Sequence, residues 1–194
     1  MSQKIWLSWS TLSAFERWPH TWTNHILGIK QPEYPEMAEG KAAHKVFTNH
    51  VTGIKKDPRV TVDLTFQKPE YKVFRDFEGD YGLYGFVDAV DFAAKAFCEY
   101  KTSSSPWSQS KFDKHRQIVF YALALGFRKA FMVTSTRDLQ NFKSFYKVVS
   151  EDEIKDTEEW IRTLIKDIES GDYKRDLVEG KCPGCYWKEF CFYA

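Results

Sequence analysis

The sequence predicts an α/β (α+β) fold: one domain with a mixed central β-sheet flanked by helices. Three observations carry this. Apolar residues recur at helical intervals near both ends of the chain, in residues 10–18, 35–51 and 150–171. Short alternating or apolar runs crowd into residues 71–102 and 129–150. One long apolar helical stretch, residues 108–127, divides those two groups. Helices, then a sheet interrupted by a helix, then a final helix is the order of a layered mixed-sheet domain.

Each element has a local reason. "LSWSTLSAFERW" offers Ser10 as an N-cap before Leu12, Phe15 and Trp18. "YPEMAEGKAAHKVFTNHV" starts a second helix near Pro35, with Met37, Ala43, Phe47 and Val51 on its apolar stripe, and Gly53 and Pro58 follow its end. "YKVFRDFE", "YGLYGFVDAVDF" and "KAFCEYKT" read as three strands. "SQSKFDKHRQIVFYALALGF" reads as one unbroken helix stopping near Gly126. "KAFMVTST" and "FKSFYKVVS" are two further strands joined by the polar "RDLQN". The last helix is capped by Ser150, with Glu153 completing a capping box and Gly171 as its stop. There is no repeat, low-complexity segment or linker, so residues 1–194 are expected to form one domain.

Composition narrows the function classes. With 43% apolar and 28% charged residues the chain suits a packed core, and no run approaches the roughly 20 apolar residues of a membrane span. "MSQKIWLSWS" is too short and polar to read as a signal peptide, and the expected location is the cytoplasm. The net charge of +1 leaves no basic coat, although a local groove is enough for nucleic-acid chemistry. Three of the four cysteines, Cys182, Cys185 and Cys191, form C-x2-C-x5-C. In a reducing compartment this suggests a metal or cluster before disulfides.

The chemistry-bearing residues are spaced with the elements. Glu99 and Lys101 lie two apart on a strand and share a face. A tight connection to the preceding strand would bring Asp88 beside Glu99, and two adjacent carboxylates repel unless a divalent cation lies between them. Lys101 could then serve an activated water or a phosphate. A cross-strand ion pair at the sheet surface explains the same residues without chemistry. Gln117 and Tyr121, four apart, share a helix face. His44 follows Gly40 by a turn in "EGKAAH", where small residues permit close approach; a structural histidine is the alternative.

In order, the chain reads G-x3-H, G-x2-D, E-x-K, Q-x3-Y and C-x2-C-x5-C. It resembles the PD-(D/E)XK nuclease superfamily and, within it, the RecB-like branch with the CRISPR-associated iron–sulphur exonucleases and AddB-type nuclease domains. "LSWSTLSAFERWPHTW" is similar to the opening of that branch. The resemblance implies a restriction-endonuclease-like core with the site at one sheet edge. It implies His44, Asp88, Glu99 and the Tyr100 carbonyl as ligands of Mg²⁺ or Mn²⁺, Lys101 as the catalytic lysine, and Gln117 and Tyr121 as residues positioning Lys101 and the DNA backbone. Cys98 and Tyr100 would face the core. The implied activity is metal-dependent hydrolysis of DNA, by an exonuclease on single strands; an inactive DNA-binding or scaffold subunit is the alternative. Branch members with a cluster use an N-terminal cysteine where this chain has Trp18, which cannot ligate a metal. An iron–sulphur cluster, a zinc site completed by His20, or no metal therefore remain open for the tail.

Overall fold

The computed structural model describes residues 4–19, 21–26, 28, 35–104 and 107–171. Its elements are β1 (Ile5–Ser8), α1 (Trp9–Arg17), α2 (Thr21–Ile26), α3 (Pro35–Val51), β2 (Lys68–Asp76), β3 (Tyr81–Asp91), β4 (Ala96–Thr102), α4 (Gln109–Asp113), α5 (Arg116–Leu125), β5 (Lys129–Ser135), β6 (Lys143–Val148) and α6 (Glu151–Ser170). The expected mixed sheet flanked by helices is what forms, with six strands. The cysteine tail and His20 lie outside the described residues.

β3 organises the sheet. β2 pairs antiparallel along it from Lys68 opposite Val90 to Asp76 opposite Gly82. Both β1 and β4 therefore share its other edge. β1 runs parallel to residues 81–84, and β4 pairs antiparallel only with residues 89–91. Between them, residues 85–88 of β3 pair with neither strand, and β4 diverges after Cys98 to run parallel with β5. The sheet is forked at this point. The candidate residues Asp88 and Glu99 lie at the fork, in the middle of the strand order, where a site at a sheet edge was expected.

Two apolar clusters cover the two faces. Leu7, Leu83, Val87, Phe97, Ile118 and Phe120 belong to the cluster beneath α5 and α6. Phe47, Val51, Cys98, Tyr100 and Val133 form the other, beneath α3. Ala43, Phe47 and Val51 are the buried stripe expected for α3, but Met37 is 36% exposed and lies off it.

Caps fix several boundaries. Ser8, not Ser10, caps α1: its hydroxyl accepts the Thr11 N–H at 3.1 Å, and the Ser10 hydroxyl bonds to it at 2.8 Å. β1 thus passes directly into α1. Trp18 is buried at the C-terminal end of α1, with the Arg17 guanidinium 5.2 Å from its ring. Ser150 and Glu153 make the expected capping box, and Gly126 and Gly171 end their helices in the left-handed conformation. The expected long helix from 108 is in fact two. Ser108 caps α4, and the chain turns through Lys114 into an extended His115, which starts α5 afresh.

Candidate active site

β4 alternates as a strand must. Phe97 packs under α5, Cys98 and Tyr100 pack under α3, and Glu99 and Lys101 turn toward the α5 side. Cys98 and Tyr100 are fully buried, as expected of core residues. The Tyr100 ring stacks on Phe47 at 4.4 Å, and its hydroxyl bonds to Ser135.

Glu99 is only 2% exposed. Its Oε2 accepts a hydrogen bond from Gln117 Nε2 at 3.2 Å and lies 3.6 Å from Lys101 Nζ. Its Oε1 is buried with no hydrogen-bond partner among the described residues. Burial first, and the Asp88 carboxylate second, push its pKa well above the usual carboxylate value, against the pull of Lys101. A buried carboxylate oxygen without a donor is costly.

Asp88 occupies the fork. Where β4 leaves β3, the Tyr100 N–H has no strand partner on β3 and donates to Asp88 Oδ2 at 2.7 Å. Asp88 Oδ1 is 3.2 Å from His44 Nδ1 on α3. The His44 ring meets the Tyr100 ring edge-on at 4.9 Å. The structure therefore brings His44, Asp88, Glu99, Lys101 and Gln117 into one linked group.

α5 supplies the far wall. Gln117 bonds Glu99 and also interacts with Tyr121 and His115. Tyr121 fills the gap left by the fork. A Cβ on Gly85 would meet its ring at 2.6 Å and its hydroxyl at 3.3 Å. Burial, then the Glu99 charge, hold the phenol protonated far above its ordinary range. His115 is a contributor that the sequence did not point to. Its ring lies between Trp107 (5.1 Å) and Trp9 (6.2 Å), and burial followed by the Lys101 charge lowers its pKa to about 4. Its place depends on the break between α4 and α5, which no glycine or proline marks.

The residues fit a hard divalent cation in their chemistry. One carboxylate oxygen is bare and buried, a second carboxylate raises its proton affinity, and the His44 imidazole is bound to that second carboxylate. As placed, no three His, Cys, Asp or Glu side chains among the described residues are gathered tightly enough to hold an ion together. His44 is turned to Asp88, and both Asp88 oxygens are engaged.

A forked mixed sheet with two acidic side chains and a lysine at the fork defines an α/β domain of the restriction-endonuclease-like fold. The PD-(D/E)XK nuclease superfamily model matches residues 12–192, and the chain belongs to that superfamily. Among solved structures it is similar to SSO0001, at 17% identity over 98% of this chain and 88% of that one, with a TM-score of 0.68. An alkaline exonuclease from Laribacter hongkongensis aligns at 10% identity over 85% of this chain and 88% of its own, with a TM-score of 0.58; it is also known in complex with dAMP. A phage related exonuclease from Haemophilus somnus 129PT aligns at 11% identity over 84% and 83%, with a TM-score of 0.51. These likenesses concern the fold. No curated protein sequence matches.

Proposed function

We propose that the protein is a metal-dependent deoxyribonuclease of the RecB-like branch, acting as an exonuclease on single-stranded DNA. In this reading residues 1–194 form one nuclease domain working in the cytoplasm. No helix among the described residues is long and apolar enough to cross a membrane. One observation carries the proposal: a fully buried carboxylate, Glu99, keeps an oxygen bare beside a second carboxylate, which costs stability unless a cation is the intended partner.

Asp88, Glu99, His44 and the Tyr100 carbonyl would hold Mg²⁺ or Mn²⁺. When bound, such an ion supplies a Lewis acid that activates water and offsets charge on the scissile phosphate. Lys101, 3.6 Å from Glu99, would stabilise charge growing on the phosphate oxygens. Gln117 donates to the Glu99 carboxylate and Tyr121 follows it one turn along α5, so in this reading both act as positioning residues. His115 stands next to Gln117 at the start of α5, with its Nε2 buried and without a hydrogen-bond partner among the described residues. Cys182, Cys185, Cys191 and His20 lie outside the described residues, and the proposed chemistry draws on none of them, whether they hold an iron–sulphur cluster, zinc or nothing.

Incubation of purified protein with end-labelled single-stranded DNA tests the proposal. Cleavage is expected only with added Mn²⁺ or Mg²⁺, with mononucleotides released from an end, and is expected to disappear in folded Asp88→Ala. Cleavage of normal rate in that variant, or in excess EDTA, refutes the assignment. No cleavage under any condition supports the inactive-subunit alternative.

A further inference from the structure

The face of the sheet opposite α5 carries a row of rings leading to the fork, with Phe74 and Phe86 exposed and Trp6 and Tyr84 half-buried. Leu7, Tyr71, Val73, Leu83 and Val87 pack into the cluster beneath α5, so the residues alternating with them point the other way. Those are Trp6 on β1, Lys72 and Phe74 on β2, and Tyr84 and Phe86 on β3. The cluster under α3 occupies the β4 end of this face, while at the β1–β2–β3 end Phe74 is 51% and Phe86 56% exposed.

The row is continuous. Trp6 meets Phe74 edge-on at 5.0 Å, and Phe74 stacks with its cross-strand partner Tyr84 at 6.3 Å. Lys72 stands opposite Phe86, with its ammonium 5.6 Å from that ring and 4.7 Å from Phe74. Gly82 makes room for the indole: a Cβ there would meet the Trp6 ring at 2.5 Å. Two residues beyond Phe86 on β3 is Asp88, which turns to His44 on the α3 side.

Single exposed rings are ordinary, but a contiguous apolar patch marks an interaction surface, and these rings touch one another along the row. Charge identifies this occupant. Lys4 is paired with Asp76, but Lys72 has no carboxylate partner among the described residues and is held over two ring faces. Ring faces interleaved with a cation suit unpaired bases followed by a phosphate. In a duplex each base face is already covered by its neighbours, so such a row discriminates against it. Resting on the reading of the protein as a DNA nuclease, we infer that Trp6, Phe74, Tyr84 and Phe86, with Lys72, form a stacking platform that receives single-stranded DNA and leads it to Asp88. The platform supplies the strand selectivity of the site, and base stacking makes it tolerant of sequence.

The test uses full-length protein, a fluorescent 12-nucleotide oligothymidine and EDTA, so that binding is read by anisotropy without cleavage. Phe74→Leu and Phe86→Leu keep an apolar face but lose the ring, and their exposure keeps the fold, checked by circular dichroism. Each is expected to weaken binding about 5- to 150-fold, whereas Phe74→Trp and Phe86→Trp retain it. A duplex of the same length is expected to bind more weakly than the single strand and to change less than twofold in the Leu variants. Photo-crosslinks from a 5-iodouracil oligonucleotide are expected on Trp6, Phe74, Tyr84 or Phe86. Unchanged binding in both Leu variants, or crosslinks confined to other surfaces, overturns the platform; that result is expected if the face instead receives a protein or another part of this chain. A protein that cleaves DNA with Mn²⁺ but shows no dependence on the rings retains its nuclease reading and loses the platform. Ring-dependent binding without cleavage does the reverse.

Discussion

Glu99→Gln separates what the site costs the fold from what it gains with a cation. In the metal-free protein the wild-type carboxylate is buried, bare at Oε1 and repelled by Asp88. The amide removes the negative charge and keeps the shape and the oxygen that accepts from Gln117. The Gln amide leaves a polar atom at the same place, so the gain comes from removing the disfavoured charge: each pKa unit by which burial and Asp88 raise Glu99 corresponds to about 1.4 kcal/mol, and Glu99→Gln is expected to stabilise the metal-free protein by about that much per unit at pH 8. In a domain of this size each kcal/mol moves the melting midpoint by about 2–4 °C. The gain depends on pH. The folded pKa of Glu99 lies above the unfolded value of about 4.3. The folded chain therefore retains a proton that the unfolded chain releases, and wild-type stability falls as pH rises from about 4.3 through the folded pKa. The variant lacks this fall, so the two proteins converge below about pH 4 and diverge at alkaline pH. Manganese opposes the variant's advantage: at 100 times its Kd it adds about 2.7 kcal/mol to the wild type and much less to the variant. Urea melts at pH 4 and pH 8, with EDTA or Mn²⁺, read all four quantities. A variant less stable than wild type at pH 8 in EDTA, or a difference independent of pH, refutes the reasoning.

Three further outcomes follow from the same geometry. Lys101→Ala is expected to lower kcat on the order of 100-fold or more while calorimetry shows Mn²⁺ binding retained, because the ammonium faces Glu99 without being a ligand. Gly85→Ala drives a Cβ into the buried Tyr121 ring at 2.6 Å and is expected to cost about 1–3 kcal/mol in urea melts, with cleavage falling as Gln117 loses its support. His115, lowered to about 4, is neutral when folded and protonates in the unfolded chain below about pH 6.5. The wild type is therefore expected to lose about 2 kcal/mol between pH 6.5 and 4 after allowance for partial exposure, a loss that His115→Gln reduces in paired melts.

The fold was legible where local signals agreed. α6 carries its capping box, its stripe and its terminal glycine within one continuous stretch, and it forms as read. β1 was missed because four residues are too few to show alternation, and it is a strand only because β3 offers it a parallel edge. Ser10 was a reasonable cap until β1 exists: once the strand runs to Ser8, the helix has to start one residue later. The break at Lys114–His115 carries no breaker residue, and only tertiary packing of His115 against Trp9 and Trp107 distinguishes it from a continuous helix.

The site divides along the same line. Spacings of two and four residues are properties of a strand and a helix, so Glu99 with Lys101, and Gln117 with Tyr121, could be paired from the sequence. The hairpin placed Asp88 close by, but its role at the fork could not be read. That role arises because β1 and β4 share one edge of β3 and leave residues 85–88 unclaimed. An unclaimed strand segment in a sheet interior would expose backbone groups, and the protein fills it with side chains: the Tyr121 ring lies against Gly85, and Asp88 takes the Tyr100 N–H. The same irregularity explains why the aromatic row escaped the sequence reading. "YGLYGFVDAV" is apolar on both faces, as a strand buried on both sides would be, and only the structure shows that Tyr84 and Phe86 lie on the face opposite α5. The fork thus does two things at once. It seats the acidic pair beneath α5 and α3, and it leaves the neighbouring strands with an uncovered face that ends at Asp88.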